Sequence, residues 1–232
     1  MTLSTFDCIA AITAHSAGFA EATRGGNLDA RVEHCPDWSV ADLVWHLTEV
    51  HWFWGTIVEE KLDAPPDEAR RPQRRPDAEL VDAFVDGAAR LVEVLRNADQ
   101  SAHCWTWAPW QQDVAFVTRH QVQEAAVHRW DAETAAGTPG AIDAELAADA
   151  VDEFLAISLG ASLDQLQGSV TLTASDTGAT WTVGRNGGPA VDIVGTAADL
   201  LLVLYRRIEH DAVTVEGDPE LAATFLGLAN TE

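Results

Sequence analysis

Cysteine, positive charge and long apolar runs are all in short supply in this sequence, and each shortage closes a route. The three cysteines, Cys8, Cys35 and Cys104, have no CxxC spacing and cannot all pair within the chain. Reduced thiols in a reducing compartment are the expectation. No apolar run approaches the roughly 18 residues that a membrane helix needs, and the first residues lack the basic-then-apolar pattern of a secretion signal. A cytoplasmic protein without a membrane partner is therefore expected. Lys and Arg number 14 against 37 Asp and Glu, for a formal net charge of −23. That field repels polyanions, which argues against a nucleic-acid partner. The only basic cluster, Arg70, Arg71, Arg74 and Arg75, lies among Pro65, Pro66, Pro72 and Pro76 and reads as an exposed loop or lid.

What the chain does have is ordinary for a globular protein: 47% apolar and 22% charged residues over 232 positions, enough for one large domain or two small ones. The first two-thirds read as helices. Residues 4–23 form the first, stopped by Gly25-Gly26. A second opens in "WSVADLVWHLTEVHWFWGTIVEE", with Ser39 as N-cap and Asp42 three residues on, close to a capping box. Leu43, Leu47, Val50, Trp54 and Ile57 supply its apolar stripe. A third runs over about 77–96 and a fourth over about 113–136, before Gly137 and Pro139. Asp143 caps a fifth that runs to about Leu159. Four long amphipathic helices with a long second connection suggest a bundle.

The texture changes after Gly168. "SVTLTASD" and "ATWTVGR" alternate β-branched and polar residues around "TGA", a hairpin signature. "PAVDIVG" reads as a strand, 197–209 as a helix, "AVTVEG" as a strand and 219–229 as a last helix. The expected fold class is α+β, with a helical bundle over residues 1–162 and a small α+β domain over 163–232.

The segment "RHQVQEAAVHRWD", residues 119–131, carries the chemistry. At about 100° per residue, His120, Glu124, His128 and Asp131 fall within one strip of a helix. Val117 and Val127 share that strip, which points it at an interior, where a carboxylate and imidazoles need partners. Glu124 and His128, one turn apart, are within reach of one metal ion, or form an ion pair. A bundle supplies a third ligand from a facing helix, and His46 and His51 are the candidates. With the stripe of the second helix centred between Leu47 and Val50, His46 is expected nearer the buried direction. His120 and His128 stand about 12 Å of rise apart, too far to share an ion. Asp131 either orients His128 or caps a solvated face.

"CPDWSVADLVWHLTEVH" and "EAAVHRWDAETAAG" resemble the mycothiol-dependent maleylpyruvate isomerase family, a branch of the DinB-like metal-binding bundles. That resemblance implies metal ligands at His46, Glu124 and His128, in agreement with the geometric choice. It extends to a small sterol-carrier-like C-terminal domain, whose end "VDIVGTAADLLLVLYRRIEHDAVTVEGDPELA" resembles, with Arg206 or Arg207 at the family's usual arginine. The sequence departs from the family at Gln123, where many members have a His. The resemblance further implies Zn2+, or another divalent metal such as Ni2+, with mycothiol as cofactor or co-substrate. A coordinated thiol is deprotonated at neutral pH, and its partner would be a small electrophilic substrate, isomerised or S-transferred. Arg206 or Arg207 would grip a carboxylate. Two alternatives stay open: a metal-dependent hydrolase, and a non-catalytic metal-binding protein. The expected state is a monomer or homodimer. The tryptophans of "WTWAPW", residues 105–110, could line a substrate pocket but read more readily as packing, and Cys35 has no base placed beside it by any motif.

Overall fold

The computed structural model describes residues 3–185 and 187–228. Two compact units divide between Gly140 and Ala141. Five long helices appear where periodicity and capping place them. Helix α1 spans Thr5–Thr23, and the Ser4 side chain accepts from the Asp7 amide. Helix α2, Val40–Glu60, opens with a complete capping box: Ser39 accepts from the Asp42 amide while Asp42 accepts from the Ser39 amide. Each satisfies a backbone group that the helix itself leaves unbonded. Helix α3 spans Asp77–Asn97. Helix α4, Val114–Ala135, is capped by Asp113, which accepts from the Phe116 amide. Helix α5, Ala144–Ile157, is capped by Asp143 in the same way.

In the first unit α1 packs on α3 and α4, and α2 on α3 and α4, as a four-helix bundle requires. Phe19, Leu43, Leu47, Leu80 and Phe84 are fully buried between the helices. A short hairpin unforeseen from sequence, β1 (Arg31–Val32) and β2 (Cys35–Ser39), leads into the α2 cap. Its strands are too short for a period-2 pattern to register. The Pro-rich stretch after α2 contains one 3-10 turn, Glu68–Arg70. It is tied back along α2 by ion pairs Arg70–Glu60, Arg71–Glu49 and Arg74–Asp42. Three of the four arginines of the basic cluster are thus paired with α2, and the segment is a strap along that helix.

The second unit holds a four-stranded sheet in the order β4-β3-β5-β6. Strands β3 (Ser169–Ala174) and β4 (Thr180–Gly184) form the expected antiparallel hairpin. Strand β5 (Ala190–Gly195) runs parallel to β3, and β6 (Thr214–Gly217) antiparallel to β5. Val170, Leu172, Val191 and Ile193 bury against helices α6 (Ala197–Leu204) and α7 (Pro219–Leu228). Two sequence expectations shift. The unit begins at Ala141 rather than at 163, because α5 packs on α6, with Phe154 against Tyr205 at 4.8 Å between ring centroids. The composition change near 163 marks the first strand instead. Helix α6 stops at Leu204, short of the expected 209, and Arg206 turns the chain with φ +56. Arg206 and Arg207 therefore stand on the turn after the helix. No described helix is long and apolar enough to cross a membrane.

Candidate metal centre

Helix α4 is buried on nearly every side, which is why it can hold so many polar groups inward. Val117 and Val127 are 0% and 1% exposed, confirming that their strip faces an interior. On that strip the structure brings Glu124 and His128 together with His46 of α2. One ligand atom from each of the three lies within 4.8 Å of the others. Two imidazoles and a carboxylate match the donor set of tetrahedral zinc sites that leave one position for an exogenous ligand. His128 Nε2 stands 3.5 Å from Glu124 Oε2. The His46 ring packs between Trp38, at 4.7 Å, and His128, at 5.0 Å and nearly edge-on.

The geometry chooses between the two readings of Asp131. Its carboxylate is 1% exposed and lies 3.0 Å from His128 Nδ1. With Nδ1–H donating to Asp131, Nε2 is the ring nitrogen turned to Glu124. The electrostatics of the metal-free cluster follow. Burial opposes charge on His128, but the carboxylates of Asp131 and Glu124 overcome it and raise its pKa to about 9. Burial likewise opposes charge on Glu124, and hydrogen bonding from His128 with the histidine charges holds it below the usual carboxylate range. The cluster is thus an ionised carboxylate matched by a proton that a dication would replace.

His51 was expected to be the less buried of the two α2 histidines, and it is the more buried: 1% exposed, its ring 5.3 Å from Phe84 of α3. Helix α2 is covered by both α3 and α4, so a single apolar stripe misjudged its buried arc. His46, not His51, is the α2 histidine that stands beside His128 of α4, at the edge of a cleft. Neither ring nitrogen of His51 has a hydrogen-bond partner among the described residues, and burial pushes its pKa down to about 3.

His46 and Glu124 open on a cleft of about 370 Å³ walled by Trp52, Phe53, Trp54 and Trp107, with Glu49, Arg71 and His120 beside them. Its size suits a small ligand. Trp107 is 45% exposed and meets Trp54 and His120 edge-on at 4.7 Å and 4.9 Å. Part of "WTWAPW" is therefore cleft wall, whereas Trp54 is core at 1% exposed. For Trp107 the sequence favoured packing over a pocket wall, since an isolated aromatic on a loop has no periodicity to place it. Cys104 is buried, and its thiol is pushed up to about 11 by desolvation and the neighbouring Asp113. Such a thiol is a poor nucleophile.

Arg206 and Arg207 lie in the C-terminal unit. Arg207 is 5% exposed, donating to the Tyr205 carbonyl at 2.9 Å with its guanidinium over the Tyr205 ring. Arg206 is exposed, donates to the Gly227 carbonyl at 3.1 Å and lines a groove of about 520 Å³ between α6 and α7.

Two domain profiles match the chain, the mycothiol maleylpyruvate isomerase N-terminal domain over residues 9–133 and the C-terminal domain of the same family over residues 145–224. Among solved structures, a mycothiol-dependent maleylpyruvate isomerase superposes with a TM-score of 0.71 at 12% identity, covering 93% of this chain and 95% of that one. A variant of that enzyme with one histidine replaced by alanine superposes with a TM-score of 0.70 over the same coverage. No curated protein matches the sequence.

Proposed function

Because the chain belongs to the mycothiol-dependent maleylpyruvate isomerase family, we propose that it is an enzyme using mycothiol at a divalent ion held by His46, Glu124 and His128. The observation that carries this reading is the convergence of those three ligand atoms at the mouth of an aromatic-walled cleft. Zinc suits the donor set, and a site of nitrogen and oxygen ligands also accepts nickel. Bound there, the ion would keep a low-molecular-weight thiol as thiolate at neutral pH.

The residues of the chain do the rest. Asp131 fixes the tautomer and direction of His128, and the hydrogen bond from His128 with the neighbouring histidine charges keeps Glu124 ionised against its burial. Trp54 and Trp107 keep water from the side of the cleft they wall. In a cis–trans isomerisation the thiolate sulfur adds to one carbon of a conjugated double bond, forming a C–S bond as the π bond breaks. The carbon skeleton rotates about the resulting single bond. The C–S bond then breaks, the π bond re-forms with opposite geometry, and the thiol leaves unchanged. No electron is gained or lost overall. S-transfer differs in one step: the C–S bond survives and the neighbouring carbon takes a proton. Of the two C-terminal arginines, Arg206 is the exposed one.

Metal-loaded protein assayed with maleylpyruvate and mycothiol tests the reading. Turnover should need metal and thiol together and should collapse in His46→Ala. Turnover that persists without thiol points to a metal-dependent hydrolase. Stoichiometric metal without turnover of any electrophile points to a binding protein.

A further inference from the structure

Glu124 has two carboxylate oxygens, and the structure deals them to different partners. Oε2 faces His128 Nε2 at 3.5 Å, on the side of the ligand cluster. Oε1 faces His120 Nε2 at 3.6 Å, on the side of the preceding turn. We propose that His120 is a positioning residue: the N–H at its Nε2 holds Oε1 so that Glu124 offers a metal ion only Oε2. This rests on the metal centre proposed above.

The tautomer follows from Gln123, whose Nε2 donates to His120 Nδ1 at 3.1 Å. A ring nitrogen that accepts a hydrogen bond bears no proton. The proton is therefore on Nε2, pointing at Oε1. Both residues are buried, His120 at 5% exposed and Gln123 at 2%, so water does not scramble the arrangement. The imidazole is also fixed in place. Phe116 stacks on it at 5.9 Å with 13° between planes, and Trp54 and Trp107 meet it edge-on at 5.8 Å and 4.9 Å. When Oε2 turns to an ion, Oε1 can close the remaining few tenths of an ångström onto Nε2–H.

The consequence lies in the coordination number. A carboxylate bound through both oxygens takes two positions, one of which would otherwise open on the cleft. Held to one oxygen, Glu124 leaves that position for a sulfur. His120 cannot ligate the ion itself, being two turns from His128, yet it decides how its neighbour does. Gln123, the position at which this chain departs from the resemblance noted above, acquires a role as the group that sets the tautomer.

The test uses the full chain loaded with Co2+ and read by visible absorption, since four-coordinate cobalt absorbs severalfold more strongly than five-coordinate cobalt. The parent protein should show the intense bands. His120→Phe, which keeps the ring and loses the donor, should lower them severalfold. His120→Gln, whose amide NH2 reaches the place of Nε2–H, should restore them. An unchanged spectrum in His120→Phe, or a His120→Gln spectrum no stronger than that of His120→Phe, overturns the proposal while leaving the metal centre standing. Absence of cobalt bands in the parent, or their survival in His128→Ala, overturns the metal centre instead, and the proposal with it.

Discussion

Replacing Asp131 with alanine removes a carboxylate that touches no solvent and is placed to contact the ion only through His128. The carboxylate is 1% exposed and 3.0 Å from His128 Nδ1, so the substitution strands a buried N–H without an acceptor. It also frees the imidazole to rotate and lowers the basicity of Nε2. Losing a partner of this kind costs about 10- to 100-fold in metal affinity, which is about 1.4–2.7 kcal/mol. The stranded donor adds a stability cost of about 1–3 kcal/mol to the metal-free fold. Asp131→Asn, which keeps an acceptor oxygen but loses the charge, should fall between parent and Asp131→Ala. The assay is competition with a chromophoric chelator at fixed pH, with circular dichroism to confirm the helices. Parent-like affinity in Asp131→Ala, alongside lost binding in His128→Ala, would refute the view that Asp131 directs the ligand.

Other expectations follow from the same geometry. Trp54→Ala empties the aromatic cluster beneath the cleft, where Trp54 is 1% exposed and touches Trp105, Trp107 and Phe116. It should cost about 3–5 kcal/mol in chemical denaturation. Ser39→Ala breaks the α2 capping box and should cost about 1 kcal/mol. In metal-free protein the two shifted histidines act over opposite pH ranges. His128, raised from 6.5 to about 9, adds stability that is complete below 6.5 and lost as pH rises through about 9. His51, lowered from 6.5 to about 3, makes the fold lose stability as pH falls below 6.5, because only the unfolded chain takes the proton. Melting temperature without metal should therefore peak near pH 6.5, and His51→Leu should move the acid limb to lower pH. A profile that only rises with pH would contradict the His128 assignment, and one that only falls would contradict the His51 assignment.

Much of this was legible in the sequence because local chemistry announces helix ends. Ser39, Asp113 and Asp143 mark helix starts that the structure confirms, and Gly137, at φ +79, marks a stop. The strip of Glu124 and His128 was legible because helical period turns spacing into direction. The partner from α2 was harder. His46 was chosen partly for a buried direction that belongs in fact to His51, since one stripe cannot describe a helix covered on two sides. The domain boundary was misplaced because composition reports where strands begin, whereas packing decides where α5 belongs. Trp107, Gln123 and the strap pairs of Arg70, Arg71 and Arg74 depend on loop paths and side-chain contacts that no periodicity encodes. The α6 end was overrun because Tyr205-Arg206-Arg207 contains neither Gly nor Pro, and Arg206 itself adopts the left-handed turn.

The central claim is that His46, Glu124 and His128 together hold a divalent ion, and direct metal analysis after equilibrium dialysis tests it most plainly. The parent chain should retain one zinc or nickel ion per molecule, and His46→Ala, Glu124→Ala and His128→Ala should each retain none while keeping the helical signal. A parent that binds no ion, or any of the three variants keeping a full complement, contradicts it.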